Sequence, residues 1–262
     1  MTVWCFGSIN IDKVVRVPHF PAPGETLAAS DYAEGLGGKG ANQSVAAARA
    51  GARVQHLGAV GPEGGAMLER LQAAGVDTSG VLRLTTPTGM ALILVDPAGE
   101  NSIVILAGAN RTLPREPIAA ALAAAAPGDT LMLQNEAAHV AAMAAQAAGQ
   151  GMRVIYSAAP FDADAVRAVL PHVSVLLLNA VEAGQLAAAM GAPVESLGVA
   201  QVVVTQGARG ARLWDRAAAG WSEHPSPRVT PVDTTGAGDT FAGYLAAGLD
   251  AGLDWPASMT RA

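Results

Sequence analysis

Two glycine-rich stretches carry most of the residues able to do chemistry. The first, Gly35-Leu36-Gly37-Gly38-Lys39-Gly40-Ala41-Asn42-Gln43, runs from an extended segment into a helix. Glycines let the backbone approach a ligand closely, and a helix start offers N–H groups that have no intrahelical partner. Lys39 and Asn42, three residues apart, lie near one face of that start. Gly35, Gly37 and Gly40 satisfy the G-x-G-x-x-G spacing of a dinucleotide turn, but the segment before them is rich in Pro, Gly and charge rather than a buried first strand. Nor is this a P-loop, because Gly38-Lys39 is followed by Gly40 and not by Ser or Thr. A glycine turn with a solvated lysine is the plain alternative. Upstream, Asn10 and Asp12 follow an apolar strand, at the carboxyl edge where open α/β sheets bind ligands. Two apart in extended chain, they share a side, and an amide with a carboxylate suits several hydroxyl groups. An Asx turn closing a strand would use the same two residues.

The second stretch is Val232-Asp233-Thr234-Thr235-Gly236-Ala237-Gly238-Asp239-Thr240-Phe241, followed by an Ala-rich helix ending near Asp250. The backbone N–H groups of Gly236, Ala237, Gly238 and Asp239 are expected to face outward at the helix start. There they would form a pocket for the negative charge that a phosphoryl group carries in transfer. Asp239 stands in the wall of that pocket. A carboxylate beside a phosphate cradle repels the anion it would bind, so it makes sense as a base that orients a hydroxyl and takes its proton. A first-turn acid favoured by the helix dipole accounts for the same residue equally well.

These residues need a scaffold, and the composition supplies one. Of 262 residues, 51% are hydrophobic, 15% charged and only 4% aromatic, so the core must be built from Ala, Val and Leu on closely packed elements. The net charge of −6 and the lack of a basic run argue against a nucleic-acid surface, but not against ATP, whose phosphates can be held by backbone N–H groups. The single cysteine, Cys5, excludes an internal disulfide and fits a reducing, cytoplasmic setting. The start Met1-Thr2-Val3-Trp4 does not read as a signal peptide, and apolar runs such as Val173–Leu178 are far too short to span a bilayer.

Buried strands are expected at Val3–Ile9, Val54–Val60, Thr130–Gln134, Arg153–Tyr156, Val175–Leu178 and Val202–Thr205. Helices are expected at Ala41–Ala50, Gly64–Ala74, Pro117–Ala125, His139–Gly149, Ala163–Leu170 and Ala180–Met190. Continuous apolar strands alternating with helices imply an α/β fold with a mostly parallel sheet covered on both faces. Two segments break the rhythm, the Pro-rich stretch 13–36 and a hairpin at 90–107 that turns at Pro97-Ala98-Gly99-Glu100-Asn101. They read as a small flap beside the main sheet, or as surface loops.

Taken together, Gly37-Gly38-Lys39-Gly40-Ala41-Asn42-Gln43 and Asp233-Thr234-Thr235-Gly236-Ala237-Gly238-Asp239-Thr240-Phe241 resemble the two signatures of the ribokinase (PfkB) carbohydrate kinase family, and Pro23-Gly24-Glu25-Thr26 and Gly108-Ala109-Asn110 extend the likeness along the chain. The resemblance implies one three-layer αβα domain with a Rossmann-like sheet and a β-sheet lid. It implies transfer of the ATP γ-phosphate to a primary hydroxyl of a pentose, D-ribose above all, with Asp239 as base. Sugar contacts would come from Asn10, Asp12, Gly38, Lys39, Asn42 and Glu136. Nucleotide contacts would come from Asn179, Thr205, Gly207, Gly210 and Gly238. Glu182 would order water on Mg²⁺, and Asp233 with the Thr235 carbonyl would hold a monovalent cation such as K⁺. Read without the family, Asn179 and Glu182 fit an N-cap and a solvated helix acid. The lid would close over the sugar and pair with a second subunit in a homodimer. Ser157-Ala158-Ala159-Pro160 departs from the usual Asn-Pro-Ala-Pro, and the chain stops at Thr260-Arg261-Ala262, where relatives continue with a helix and strand. Weaker ATP and cation binding is the expected cost of that ending. A nucleoside kinase of the same fold, or a catalytically weak sugar-binding protein, are the rival readings.

Overall fold

The computed structural model describes residues 1–230 and 234–262. In chain order the strands are β1 (Val3–Phe6), β2 (Asn10–Arg16), β3 (Asp31–Gly37), β4 (Val54–Val60), β5 (Val76–Arg83), β6 (Gly89–Val95), β7 (Asn101–Leu106), β8 (Thr130–Leu133), β9 (Arg153–Ser157), β10 (Val175–Asn179), β11 (Gln201–Thr205), β12 (Ala211–Asp215) and β13 (Gly220–His224). The helices are α1 (Lys39–Arg49), α2 (Gly65–Ala73), α3 (Ala109–Thr112), α4 (Arg115–Leu122), α5 (Val140–Gly149), α6 (Ala163–Val169), α7 (Ala180–Met190), α8 (Ala237–Asp250) and α9 (Trp255–Arg261).

Among the described residues, nine strands form the main sheet in the order β13-β12-β11-β10-β9-β8-β1-β4-β5. From β11 through to β5 every pairing is parallel, and β12 and β13 add an antiparallel edge. The central strands are apolar at successive positions because both their faces are covered. In β1, Trp4 and Phe6 belong to one apolar cluster while Val3 and Cys5 belong to the other, as the two-residue period of a strand requires. The first cluster is roofed by Ile118 and Leu122 of α4, Met143 and Ala147 of α5, and Leu186 of α7. The second is roofed by Ala41 and Ala47 of α1, Leu71 of α2, and Ala242 and Leu245 of α8. The result is an αβα stack.

The Pro-rich stretch and the hairpin meet in a second sheet, β3-β2-β6-β7, rather than lying as separate surface loops. Its β2–β3 and β6–β7 pairs are antiparallel, and β2–β6 is parallel. β2 starts at Asn10, so the second sheet opens directly on a candidate ligand residue.

Some expected bounds move. The first strand ends at Phe6, not Ile9, because Gly7-Ser8-Ile9 leaves the ladder to meet α1, where the Ser8 carbonyl accepts from the Ala41 N–H at 2.9 Å. The fourth helix spans Arg115–Leu122 rather than Pro117–Ala125. The sequence patterns above leave out β5, β12 and β13. β5 is a polar edge strand, Val76-Asp77-Thr78-Ser79, and the β12–β13 hairpin is short, pinned by Trp214 opposite Trp221 with ring centroids 5.8 Å apart.

Candidate active site

Close backbone contact sets the start of α1. Gly38 caps the helix at φ 90°, and a Cβ there would lie within 3.0 Å of the Ser8 carbonyl and hydroxyl oxygens. Seated on Gly7 and Ser8, the turn presents the Lys39 N–H to Glu136 Oε2 at 3.0 Å, and the Ser8 hydroxyl donates to the same oxygen. Glu136, expected at the sugar site, is thus anchored beside the first glycine motif.

Asn10 is buried, and its Oδ1 accepts from Asn110 Nδ2 at 2.8 Å, while the Ile9 N–H donates to Asn110 Oδ1 at 3.0 Å. Gly89 makes room for that pair, since a Cβ there would stand 2.2 Å from each amide. Asp12, next along the same side of β2, lies over Gly37, whose absent Cβ would be 1.9 Å from the Asp12 carboxylate. Burial, and then the nearby charge of Glu136, push the Asp12 carboxyl up to about 6.

The second glycine motif arrives from the other end of the chain. Gly236 caps α8 in the left-handed region at φ 71°, and Asp239 sits in the first turn, buried. Its Oδ2 accepts from Asn42 Nδ2 at 3.2 Å and its Oδ1 from Gln43 Nε2 at 3.0 Å. Two residues of the first motif therefore hold the carboxylate of the second. The helices can pass this closely because α8 carries Gly243 at the crossing, where a Cβ would stand 2.5 Å from Ala46 Cβ and 2.7 Å from the Ala47 nitrogen and Gln43 carbonyl. Burial raises the Asp239 carboxyl; Lys39, Gln43 and Asn42 work against that rise, and Glu136 adds to it. One expected anion-hole donor is otherwise engaged: Ala237 turns its N–H onto the Thr234 carbonyl at 3.2 Å.

A cleft of about 230 Å³ opens above Asp239, lined among others by Lys39, Ser157, Asn179, Glu182, Thr205 and the Gly236–Asp239 turn. Asn179 and Glu182 form a capping box at the start of α7: Asn179 Oδ1 accepts from the Glu182 N–H at 2.9 Å, and Glu182 Oε2 from the Asn179 N–H at 2.8 Å. The helix-cap role and a place in the cleft wall coexist. Glu182 is raised by burial, with Lys39 opposing the rise and Asp239 reinforcing it, so the three share one field. A larger cavity of about 690 Å³ adjoins, sharing Thr205, Ala237 and Gly238 with the cleft and reaching Gly207, Gly210, Phe241 and Met259. Gly210 there takes φ 95°, and a Cβ would stand 2.1 Å from the His224 carbonyl.

Lys39, expected at a sugar site, thus shares the cleft above Asp239 with Asn179, Thr205 and Gly238, expected at a nucleotide site, while Asp12 and Glu136 lie beside the first glycine motif. Asp233 falls outside the described residues. Thr235 is described, at the start of the turn that leads to Gly236. Among the described residues, no three His, Cys, Asp or Glu side chains are grouped to hold a metal ion directly, and no helix is long and apolar enough to cross a membrane. Sequence reasoning assigned no role to Ser8, Gln43, Asn110 or Gln134. Gln43 had a readable signal, being a long polar side chain on the same helix face as Ala46 and Ala47. Asn110 and Gln134 are joined to the site by contacts some hundred residues apart in the chain, and Ser8 by contacts both to Glu136 and to the start of α1.

The model of the pfkB family carbohydrate kinases matches residues 2–262. The chain belongs to that family. It is 35% identical to a ribokinase of Haemophilus influenzae, over 95% of this chain and 85% of that protein. A Cryptococcus neoformans ribokinase solved with ADP superposes with a TM-score of 0.84 at 32% identity, covering 98% of this chain and 90% of the other. An Arabidopsis thaliana ribokinase solved with ribose and ATP gives a TM-score of 0.85 at 27% identity, covering 98% and 88%. This protein is an ATP-dependent sugar kinase with the fold of those enzymes.

Proposed function

We infer that this kinase transfers the γ-phosphate of ATP to the primary hydroxyl of a pentose, D-ribose to ribose 5-phosphate, with Asp239 as the base. The observation that carries the reading is the clamp on Asp239: a buried carboxylate, gripped from the first glycine motif, at the N-terminus of a helix and in the wall of a polar cleft that Lys39 shares with Asn179, Glu182 and Thr205. Asn10, Asp12, Gly38, Lys39, Asn42 and Glu136 bind and orient the sugar, the carboxylates accepting from its hydroxyls. Ionised Asp239 accepts the proton of the attacking hydroxyl. Charge on the moving phosphoryl group is met by the backbone of Gly236, Gly238 and Asp239 at the α8 terminus and by Lys39, the Ala237 N–H being turned to the Thr234 carbonyl. Asn179, Thr205, Gly207, Gly210 and Gly238 hold the nucleotide. Mg²⁺ needs few protein carboxylates when phosphates and water complete its shell, and half-buried Glu182 in the cleft wall fits that need through a bound water. The ion, when bound, neutralises phosphate charge. K⁺ is assigned to Asp233 and the Thr235 carbonyl on family likeness alone.

The second sheet serves as the lid, excluding water so that ATP is not hydrolysed instead. A homodimer through that lid is supported by β7, where Ile103, Val104, Ile105 and Leu106 are 49 to 57% exposed on an edge strand. Cytoplasmic residence fits a lone, buried, unpaired cysteine.

The direct test is phosphorylation of D-ribose, other pentoses, fructose and adenosine. Preference for adenosine would make this a nucleoside kinase, and sugar binding without turnover would make it a binding protein. Asp239→Asn should lower kcat by about 10²–10⁴-fold while ribose still binds. Near-normal turnover would remove Asp239 from the role of base.

A further inference from the structure

On the buried face of α1, beside Ala46 and Ala47, stands one long polar side chain, Gln43, 1% exposed. An amide in such a place is unfavourable unless its donors and acceptor are all met. They are. Gln43 Nε2 donates to Asp239 Oδ1 at 3.0 Å and to the Ser157 hydroxyl at 3.4 Å, and Gln43 Oε1 accepts from Gln134 Nε2 at 2.7 Å. Gln134 is itself fully buried, its second N–H directed at Cys5 Sγ at 3.7 Å, and its amide lies 2.1 Å from where a Cβ on Gly7 would be. Glycine at position 7 is what admits it.

These contacts fix a polarity. If Gln43 alone turned over, its Oε1 would face the Asp239 carboxylate and its NH₂ would face the NH₂ of Gln134. If both amides turned, Gln43 Oε1 would still face Asp239, an arrangement that suits only the protonated acid. With Asp239 ionised, hydrogen-bond donation therefore runs one way, from Gln134 to Gln43 to Asp239.

We propose that Gln43, oriented by Gln134, is a positioning residue that fixes the plane of the Asp239 carboxylate and keeps it in its proton-accepting form. The proposal rests on Asp239 being the base. It assigns Gln43 no contact with sugar or nucleotide, unlike Asn42, which holds the other carboxylate oxygen from the edge of the site. The ionisable groups that act on Asp239 are Lys39 at the start of α1, Glu136 after β8 and Glu182 on α7, with the Cys5 thiol on β1 also within its field. The hydrogen bonds from Gln43 and Asn42 act against the upward pull of burial on Asp239.

The test is steady-state kinetics and kcat–pH profiles of Gln43→Leu, Gln134→Leu, the double variant and Asp239→Asn, each with a thermal melt. Gln43→Leu should lower kcat about 10- to 100-fold, the range set by one hydrogen bond to a charged group, with the sugar KM changed less than about threefold. The acid limb should move up by about one pH unit or more, because losing a donor to the ionised form favours the neutral acid. Gln134→Leu, which touches neither Asp239 nor the sugar, should shift the limb the same way by less. The double variant should match Gln43→Leu instead of compounding the two losses, since Gln134 acts through Gln43. A purely structural glutamine would lower the melting temperature and leave the limb in place. Wild-type kcat and limb in a folded Gln43→Leu, or multiplicative losses in the double variant, overturn the proposal. Should Gln43→Leu not fold, an unmoved limb in Gln134→Leu overturns it alone. Turnover surviving in Asp239→Asn removes the base assignment, and the relay with it, whereas its loss beside a normal Gln43→Leu removes only the relay.

Discussion

Gly243→Ala tests whether the crossing of α1 and α8 builds the site. In an isolated helix this change is favourable by about 0.5–1 kcal/mol, because alanine is the better helix former. Here the added methyl would stand 2.5 Å from Ala46 Cβ and 2.7 Å from two backbone atoms, the Ala47 nitrogen and the Gln43 carbonyl. None of these is the end of a flexible side chain, so the helices must part by about 1 Å to restore carbon separations near 3.5–4.0 Å. Overpacking of that size costs about 1–3 kcal/mol and outweighs the propensity gain. The same displacement would stretch the 3.2 and 3.0 Å bonds from Asn42 and Gln43 to Asp239 beyond useful length. A misplacement of about 1 Å at reacting groups costs on the order of 10²-fold in rate. The variant should therefore melt a few degrees lower (about 2–4 °C per kcal/mol for a chain of this size) and lose on the order of 100-fold in kcat. Differential scanning calorimetry and a coupled ADP-release assay report both quantities. An unchanged kcat, or a raised melting temperature, would show that the two motifs are not brought together by this contact.

Asp12 offers a prediction about pH. Its folded-state value, pushed up to about 6, lies above the ordinary 3.8, so folding favours the protonated acid and the ionised form strains the native state. Stability from this group is present below about pH 4 and is lost as pH rises through 6. Asp12→Asn should accordingly raise the melting temperature at pH 7, the gain vanishing near pH 4, while raising the sugar KM; an unchanged melting temperature at both pH values would contradict the burial argument. If the proposed homodimer forms through β7, Ile103→Glu together with Ile105→Glu places charge on that exposed edge strand and should shift sedimentation from dimer to monomer with the fold retained. A dimer that survives both changes is not held through β7.

Much of the scaffold was legible in the sequence because the central strands are simple. β10 and β11 carry the consecutive apolar residues Val175–Leu178 and Val202–Val204 that no solvated loop would tolerate, and α7 opens with Asn179 and Glu182 at capping-box spacing. The polar edge strand β5 and the short β12–β13 hairpin were not legible, since edge strands need no buried face on every residue. The two glycine motifs announced a phosphate-binding and hydroxyl-binding chemistry but not their mutual distance. That distance depends on Gly243, which in sequence is one small residue in an Ala-rich helix. Asn110 was likewise visible only as part of Gly108-Ala109-Asn110; its hold on Asn10 exists only because β2 and β6 run side by side past Gly89.

The charges gathered at the site bear on which ligand it takes. Asp12 and Asp239 both feel Glu136, and Asp239 also acts on Glu182, so four carboxylates share one region of low solvent access. Among the described residues lining the cleft above Asp239, Lys39 is the one cation. Crowded carboxylates of this kind raise one another's proton affinity unless donors satisfy them. A neutral polyol is made of donors: each sugar hydroxyl can give its proton to a carboxylate oxygen and relieve part of the repulsion. A sugar that already carried a phosphate would add two negative charges to the same region, with a single lysine to meet them. On the proposed reading the phosphoryl group would arrive instead at the start of α8, where a helix N-terminus favours negative charge. On the proposed roles, Asp12 and Glu136 would receive the hydroxyl-rich acceptor and Glu182 would meet the phosphates through Mg²⁺-bound water, with Asp239 coupled to both sets of charge.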